Sequence, residues 1–146
     1  MVAHRGVGVI VTDPARSRFV VQRKDASYPR YPRGHSLFGG ACEPGESSEA
    51  TLERELFEEL GDASARVLLD AGPREIGAFT VGESGFTFVL FEAVVAVEML
   101  DVLAARPVHE GERAEIITRE ELPGLAWVWG LEAVLAAYIA GIGPRE

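Results

Sequence analysis

Residues 40–62 read GACEPGESSEATLERELFEELGD: a glycine-led start, a Pro44-Gly45 turn, then Glu46 to Leu60 without proline or glycine. Ser47 or Ser48 can cap a helix here, and Gly61 is suited to stop it. With successive side chains about 100° apart, Glu55, Glu58 and Glu59 fall within one arc of about 100°, while Leu52, Leu56, Phe57 and Leu60 lie on a different side. Like charges three and four residues apart destabilise a helix by a few tenths of a kcal/mol per pair, roughly. A divalent cation reverses that sign. Carboxylates are hard ligands suited to Mg²⁺, Mn²⁺ or Ca²⁺, and Mg²⁺ commonly keeps positions for water and substrate phosphates. The acidic face is therefore a candidate metal site, set against the plain alternative of a solvated helix surface.

The spacing around this helix narrows the choice. Five residues separate Gly40 from Glu46 and seven separate Glu46 from Arg54, after which come Glu55, Leu56, Phe57, Glu58, Glu59, Leu60 and Gly61. The pattern resembles the signature of the Nudix hydrolases, the MutT-like family: glycine, five residues, glutamate, seven residues, then Arg-Glu-aliphatic-any-Glu-Glu-any-Gly-aliphatic. Each fixed position is met except the last, where Asp62 replaces the aliphatic residue and bears on packing after the helix. The resemblance implies an α/β/α sandwich with a mixed sheet. It also implies metal-dependent hydrolysis of a diphosphate linkage in a nucleoside diphosphate derivative, such as a nucleoside triphosphate, ADP-ribose or a nucleotide sugar, with Mg²⁺ or Mn²⁺ as cofactor.

On the same resemblance, Glu55 and Glu59 are the leading metal ligands, Glu58 is a ligand or a base acting through water, and the Gly39 carbonyl completes the set. Gly40 and Gly61 are structural supports. Glu46 and Arg54 fit a salt bridge that ties the loop to the helix, since an arginine can hold a carboxylate through two parallel hydrogen bonds. Family members often add a glutamate from beyond the box. The carboxylate that best resembles it is Glu115, as ligand or base, with Glu112 as the alternative and a surface-loop acid as the plain reading of both.

Working outward, Gly6–Thr12 and Arg18–Arg23 read as two strands joined by the Asp13-Pro14 turn. Asp25–Ser36 is too rich in proline and glycine for a helix or central strand. Its Tyr28, Arg30 and Arg33, with Arg23 just before, are candidates for holding phosphate and stacking a base, weighed evenly against scattered surface residues. Gly39-Gly40 reads as a turn before the box. Residues 66–69, 76–81 and 85–97 read as strands, with a turn at Gly82–Gly85, and 115–118 as another. A helical turn at Arg119–Leu122 precedes Pro123, and Trp127–Ala140 has the apolar spacing of a closing helix, with both tryptophans read as core or interface residues. His4, His35 and Cys42 carry no assigned role.

Composition bounds these readings. A length of 146 residues argues for one domain, 1–146, with enough chain to bury a core. Hydrophobic residues at 47% and charged residues at 25% exclude a disordered or collagen-like chain. Fourteen basic residues against 23 acidic ones leave −9, which speaks against binding a nucleic-acid backbone or an anionic membrane. A single cysteine fits a reducing cytoplasm, and Met1–Arg5 lacks the pattern of a secretion signal. The expected partner is a small-molecule nucleotide. A homodimer, common in the family, is left open by the sequence.

Two further readings share the resemblance. A nucleotide-binding sensor without hydrolase activity would be expected to have lost box carboxylates, and none is lost. Isomerisation of an isoprenoid diphosphate needs a catalytic cysteine, for which Cys42 alone is thin support.

Overall fold

The computed structural model describes residues 5–82 and 85–142. Glu83 and Ser84 of the expected 82–85 turn, and most of the expected signal-free start, lie outside the described residues. In chain order the elements are β1 (Arg5–Thr12), β2 (Arg18–Arg23), β3 (His35–Ser36), β4 (Phe38–Ala41), α1 (Ser48–Leu60), α2 (Asp62–Asp70), β5 (Arg74–Val81), β6 (Phe86–Val94), α3 (Val97–Ala105), β7 (Arg113–Thr118) and α4 (Leu131–Ile142). Short 3₁₀ turns occupy Leu122–Gly124 and Val128–Gly130.

β1 is the axis of the mixed sheet. One edge runs parallel to β6 from Arg5 to Thr12, while the other is shared: residues 6–9 pair with β4, and Val11 and Thr12 pair with β2. β2 is antiparallel to β7 along its length, and β5 closes the far side against β6. β1 is buried on both faces, so its two-residue alternation feeds two cores. Val7, Val9 and Val11 meet Leu52 and Leu56 of α1, Leu68 of α2 and Leu100 of α3. Ile10 joins Phe19, Leu90, Val134 and Leu135 on the α4 side. The result is the expected α/β/α sandwich. Leu56 is fully buried, so truncating it to alanine costs about 2–5 kcal/mol.

Several local expectations change. Residues 66–69 are helical, inside α2, because Ala65 and Leu68 recur at helical spacing and bury against the α1 core. A short apolar run does not by itself distinguish strand from helix. Residues 38–41 are a strand and not a turn, since pairing with β1 keeps the two glycines extended in the sheet. β6 ends at Val94, and α3, which the sequence reading left unassigned, begins at Val97. Pro123 sits within a 3₁₀ turn. The expected closing helix starts only at Leu131, because Trp129 adopts a left-handed φ of 52°. Among the described residues, no helix is long and apolar enough to cross a membrane.

Candidate active site

The acidic patch is assembled by α1, β4 and the segment before β7. The α1 N-terminus is capped by Ser47, whose hydroxyl accepts from the Ala50 amide at 3.1 Å. The preceding loop is fixed by Arg54, which grips Glu46 through Nε at 2.8 Å and Nη2 at 2.9 Å and donates to the Ala41 carbonyl at 3.0 Å. Thr51 Oγ1 and the Glu43 amide donate to the same Glu46 carboxylate. The Arg54 hydrogen bonds, with these two donors, pull the Glu46 pKa down to about 2. The expected Glu46–Arg54 bridge is present. Arg54 also reaches Glu55 at 2.9 Å.

The glycines explain how the carboxylates come so near the sheet. The Glu55 carboxylate occupies the space a side chain on Gly40 would fill. Gly39 has a φ of +149°, and a Cβ there would run into the Val7 backbone. Its amide donates to Glu59 Oε1 at 2.7 Å. Gly61, with φ 79°, ends α1, and a side chain there would crowd the His109 ring. The His109 amide donates to the Glu59 carbonyl at 2.7 Å, which docks the 106–112 segment on the helix end.

That docking delivers Glu110. Oxygens of Glu55, Glu59 and Glu110 lie within 4.8 Å of one another. Glu59 is 2% exposed, and its remaining oxygen accepts from Gln22 Nε2 at 3.1 Å. The same Gln22 nitrogen donates to the Glu110 carbonyl at 3.1 Å. Burial drives the Glu59 pKa well up, against the Gly39 amide, and Glu110 and Glu55 push it further. Glu55 is also raised, first by burial and then by Glu58 and Glu110, with Arg54 opposing. Glu59 thus has neutral donors for partners and carboxylates for neighbours. A set of hard oxygen ligands short of positive charge fits Mg²⁺ or Mn²⁺ in donor chemistry and in sign.

Other expected site residues lie elsewhere. The Glu58 side chain is 58% exposed, 3.4 Å from Arg54, and stands apart from the three-carboxylate group. Glu115 also stands apart: β7 pairs it with Val21, and its carboxylate meets His35 Nε2 at 2.8 Å, Arg113 at 2.9 Å and Arg23 at 3.4 Å. Burial alone would raise its pKa, but His35 and Arg113 hold it below the usual range. Glu112 pairs with Arg33 and Arg113. The acid from beyond the box that joins Glu55 and Glu59 is Glu110 and not Glu115, and it comes from a loop with no periodic pattern to mark it.

A cavity of about 500 Å³ adjoins the patch, lined by Gly39, Gly40 and Glu110 together with Tyr28, Phe86 and Trp129. Of the expected substrate-binding residues, Tyr28 lines it. Arg23 is turned to the Arg33 carbonyl at 2.7 Å, and Arg30 lies 5.3 Å from the Trp129 ring. Trp127 is buried as expected, donating to the Leu122 carbonyl, but Trp129 is 45% exposed. Its indole donates to Tyr28 Oη at 2.7 Å and its ring meets Tyr31 edge-on at 4.9 Å. Gln22, Lys24, Glu110 and Trp129 are the residues at this site that sequence reasoning missed.

With this geometry in place, comparisons are informative. The family model described as NUDIX domain matches residues 2–137. No curated protein gives a significant match. Among solved structures, the chain is similar to a mutT/nudix family protein from Listeria innocua, with TM-score 0.70 and 16% identity over 97% of this chain and 96% of that one. It is also similar to a MutT protein from Methanosarcina mazei Go1, with TM-score 0.68 and 16% identity over 96% and 95%. A Deinococcus radiodurans protein gives TM-score 0.69 and 19% identity over 91% and 81%. At these identities the structural likenesses bear on the fold.

Proposed function

Because this chain belongs to the NUDIX domain family, whose members generally hydrolyse nucleoside diphosphate derivatives, we propose that it hydrolyses the diphosphate linkage of a small nucleotide with Mg²⁺ or Mn²⁺. The observation that carries this reading is the convergence of Glu55, Glu59 and Glu110 beside a cavity of nucleotide dimensions.

In this reading Glu55, Glu59 and Glu110 hold the cation, with the Gly39 carbonyl as a further oxygen. A cation held there would neutralise phosphate oxygens and lower the pKa of a bound water. The protein's part is positional. Gly39 and Gln22 orient Glu59, Arg54 orients Glu55, and the His109 contact seats Glu110. A carboxylate accepts the proton of the attacking water, and we assign this to Glu58, which is exposed and reaches the site through solvent while pairing with Arg54 at 3.4 Å. Water adds at phosphorus, the bridging P–O bond breaks, and a nucleoside monophosphate leaves with a second phosphorylated product, or with pyrophosphate from a triphosphate. Glu115, held by His35, Arg23 and Arg113, supports β7 and the start of the loop after β2. The lone Cys42 is in keeping with work in a reducing cytoplasm.

The test is a panel of nucleoside triphosphates, ADP-ribose, dinucleoside polyphosphates and nucleotide sugars with Mg²⁺ or Mn²⁺. Turnover of at least one member, lost on chelation, is expected. Tight binding of a member without turnover by the wild type would instead identify a sensor.

A further inference from the structure

The cavity beside the three carboxylates holds a cation that no sequence motif marks. Lys24 follows β2 directly and lines the cavity together with Glu110 and Tyr28. The residue is 8% exposed, and its ammonium stands 4.6 Å from the centroid of the Tyr28 ring. The Tyr28 ring is the contact that the structure gives this ammonium. Lysines are almost never this buried unless paired. The stem is buried, while the ammonium is not among the buried unpartnered polar atoms and stays open to the cavity, where the π-face returns about 0.5–2 kcal/mol.

The neighbouring cations are already engaged. Arg23 donates to the Arg33 carbonyl and reaches Glu115, Arg33 pairs with Glu112, and Arg30 lies against Trp129. Among the described residues lining the cavity, Lys24 is the only cation and Glu110 the only anion. Gln22, two residues earlier, is bonded to Glu59 and to the Glu110 carbonyl. Two residues of extended chain span about 7 Å, so Lys24 begins one strand repeat from the acidic group.

We propose that Lys24 receives the phosphate that stays with the nucleoside when the diphosphate is cleaved, making it a specificity-determining residue for phosphorylated ligands. The proposal rests on the diphosphate reading above. An ammonium with three rotatable donors suits a phosphate oxygen, which imposes no planar geometry. The rings of Tyr28, Phe86 and Trp129 in the same cavity then flank the nucleoside. The competing acceptor is a keto oxygen on the base, and the experiment separates the two.

Calorimetry with the four ribonucleoside 5′-monophosphates and the four matching nucleosides is run on the wild type, Lys24→Met and Lys24→Arg. The wild type is expected to bind at least one monophosphate roughly tenfold or more tighter than its nucleoside, as a charge-assisted hydrogen bond provides. Lys24→Met keeps the apolar stem and loses that margin, whereas Lys24→Arg keeps most of it. Added NaCl weakens monophosphate binding to the wild type more than to Lys24→Met. The proposal is overturned if the wild type shows no margin, if Lys24→Met retains it, or if Lys24→Met weakens nucleoside and monophosphate equally, which would assign the lysine to the base. A wild type that shows the margin but turns over no member of the substrate panel would overturn the hydrolase reading and leave this one standing.

Discussion

Glu59 and Glu92 are both buried glutamates, 2% and 3% exposed, yet the protein treats them in opposite ways. Glu92, on β6, is met by Arg16 through two hydrogen bonds at 2.8 and 2.9 Å, by the Tyr138 hydroxyl at 2.6 Å and by Arg74 at 3.4 Å. Burial alone would raise its pKa, but the Arg16 and Tyr138 hydrogen bonds outweigh it and hold the group below the usual range. Glu59 is met by two neutral amides and faces Glu55 and Glu110, so burial and like charge both raise its pKa. One charge is neutralised within the chain. The other is kept with oxygens arranged around a shortage of positive charge, which is wasteful for a structural carboxylate and suited to a cation-dependent site.

The sharpest way to break this contrast is Glu59→Gln. It is expected to lower kcat/KM for the best panel substrate by roughly 10³-fold while raising the melting temperature of the metal-free protein, because an amide is neutral in the unfolded chain too and folding no longer has to protonate or bury a carboxylate there. Steady-state kinetics and thermal melts check both. At the other glutamate the sign reverses. Arg16→Met leaves Glu92 buried with the Tyr138 hydroxyl and the more distant Arg74, and is expected to cost about 3 kcal/mol of stability in urea titrations.

The same pair predicts a pH dependence. The folded-state pKa of Glu92 lies below its unfolded value. Its contribution is therefore complete above the ordinary carboxylate range and is lost as pH falls through the folded value. Glu92→Gln should be less stable than the wild type at neutral pH, with the gap narrowing on acidification. The smallest expected effect is at Gln22→Leu, which removes one of the two neutral donors to Glu59. Activity should fall about tenfold and the Mg²⁺ concentration for half-maximal activity should rise, as when a ligand loses its orienting partner.

The same contrast shows what was legible in the sequence. α1, its Ser47 cap, the Glu46–Arg54 clasp and two of the three clustered carboxylates follow from one continuous stretch, where spacing along a helix translates directly into position in space. Glu110 does not. It is carried there by a loop without periodicity, whose His109 amide bonds the Glu59 carbonyl 50 residues away in the chain. Glu115, at the start of a recognisable strand, was the more visible acid, and the structure turns it toward His35 and two arginines. Glu92 sits among apolar neighbours in β6 and gains its meaning from Arg16 and Tyr138, both distant in sequence. The helix of residues 62–70 was hidden for a different reason: four residues of apolar chain fit either secondary structure until packing on α1 decides.

Thermal melting of the wild type and Glu59→Gln, each with and without millimolar Mg²⁺ or Mn²⁺, tests the central claim that Glu55, Glu59 and Glu110 form a site completed by a divalent cation. The account predicts that the cation raises the wild-type melting temperature in a concentration-dependent way and has little effect on the variant, since only a ligand bound to the native state stabilises it. No shift in the wild type, or an equal shift in both proteins, would contradict it.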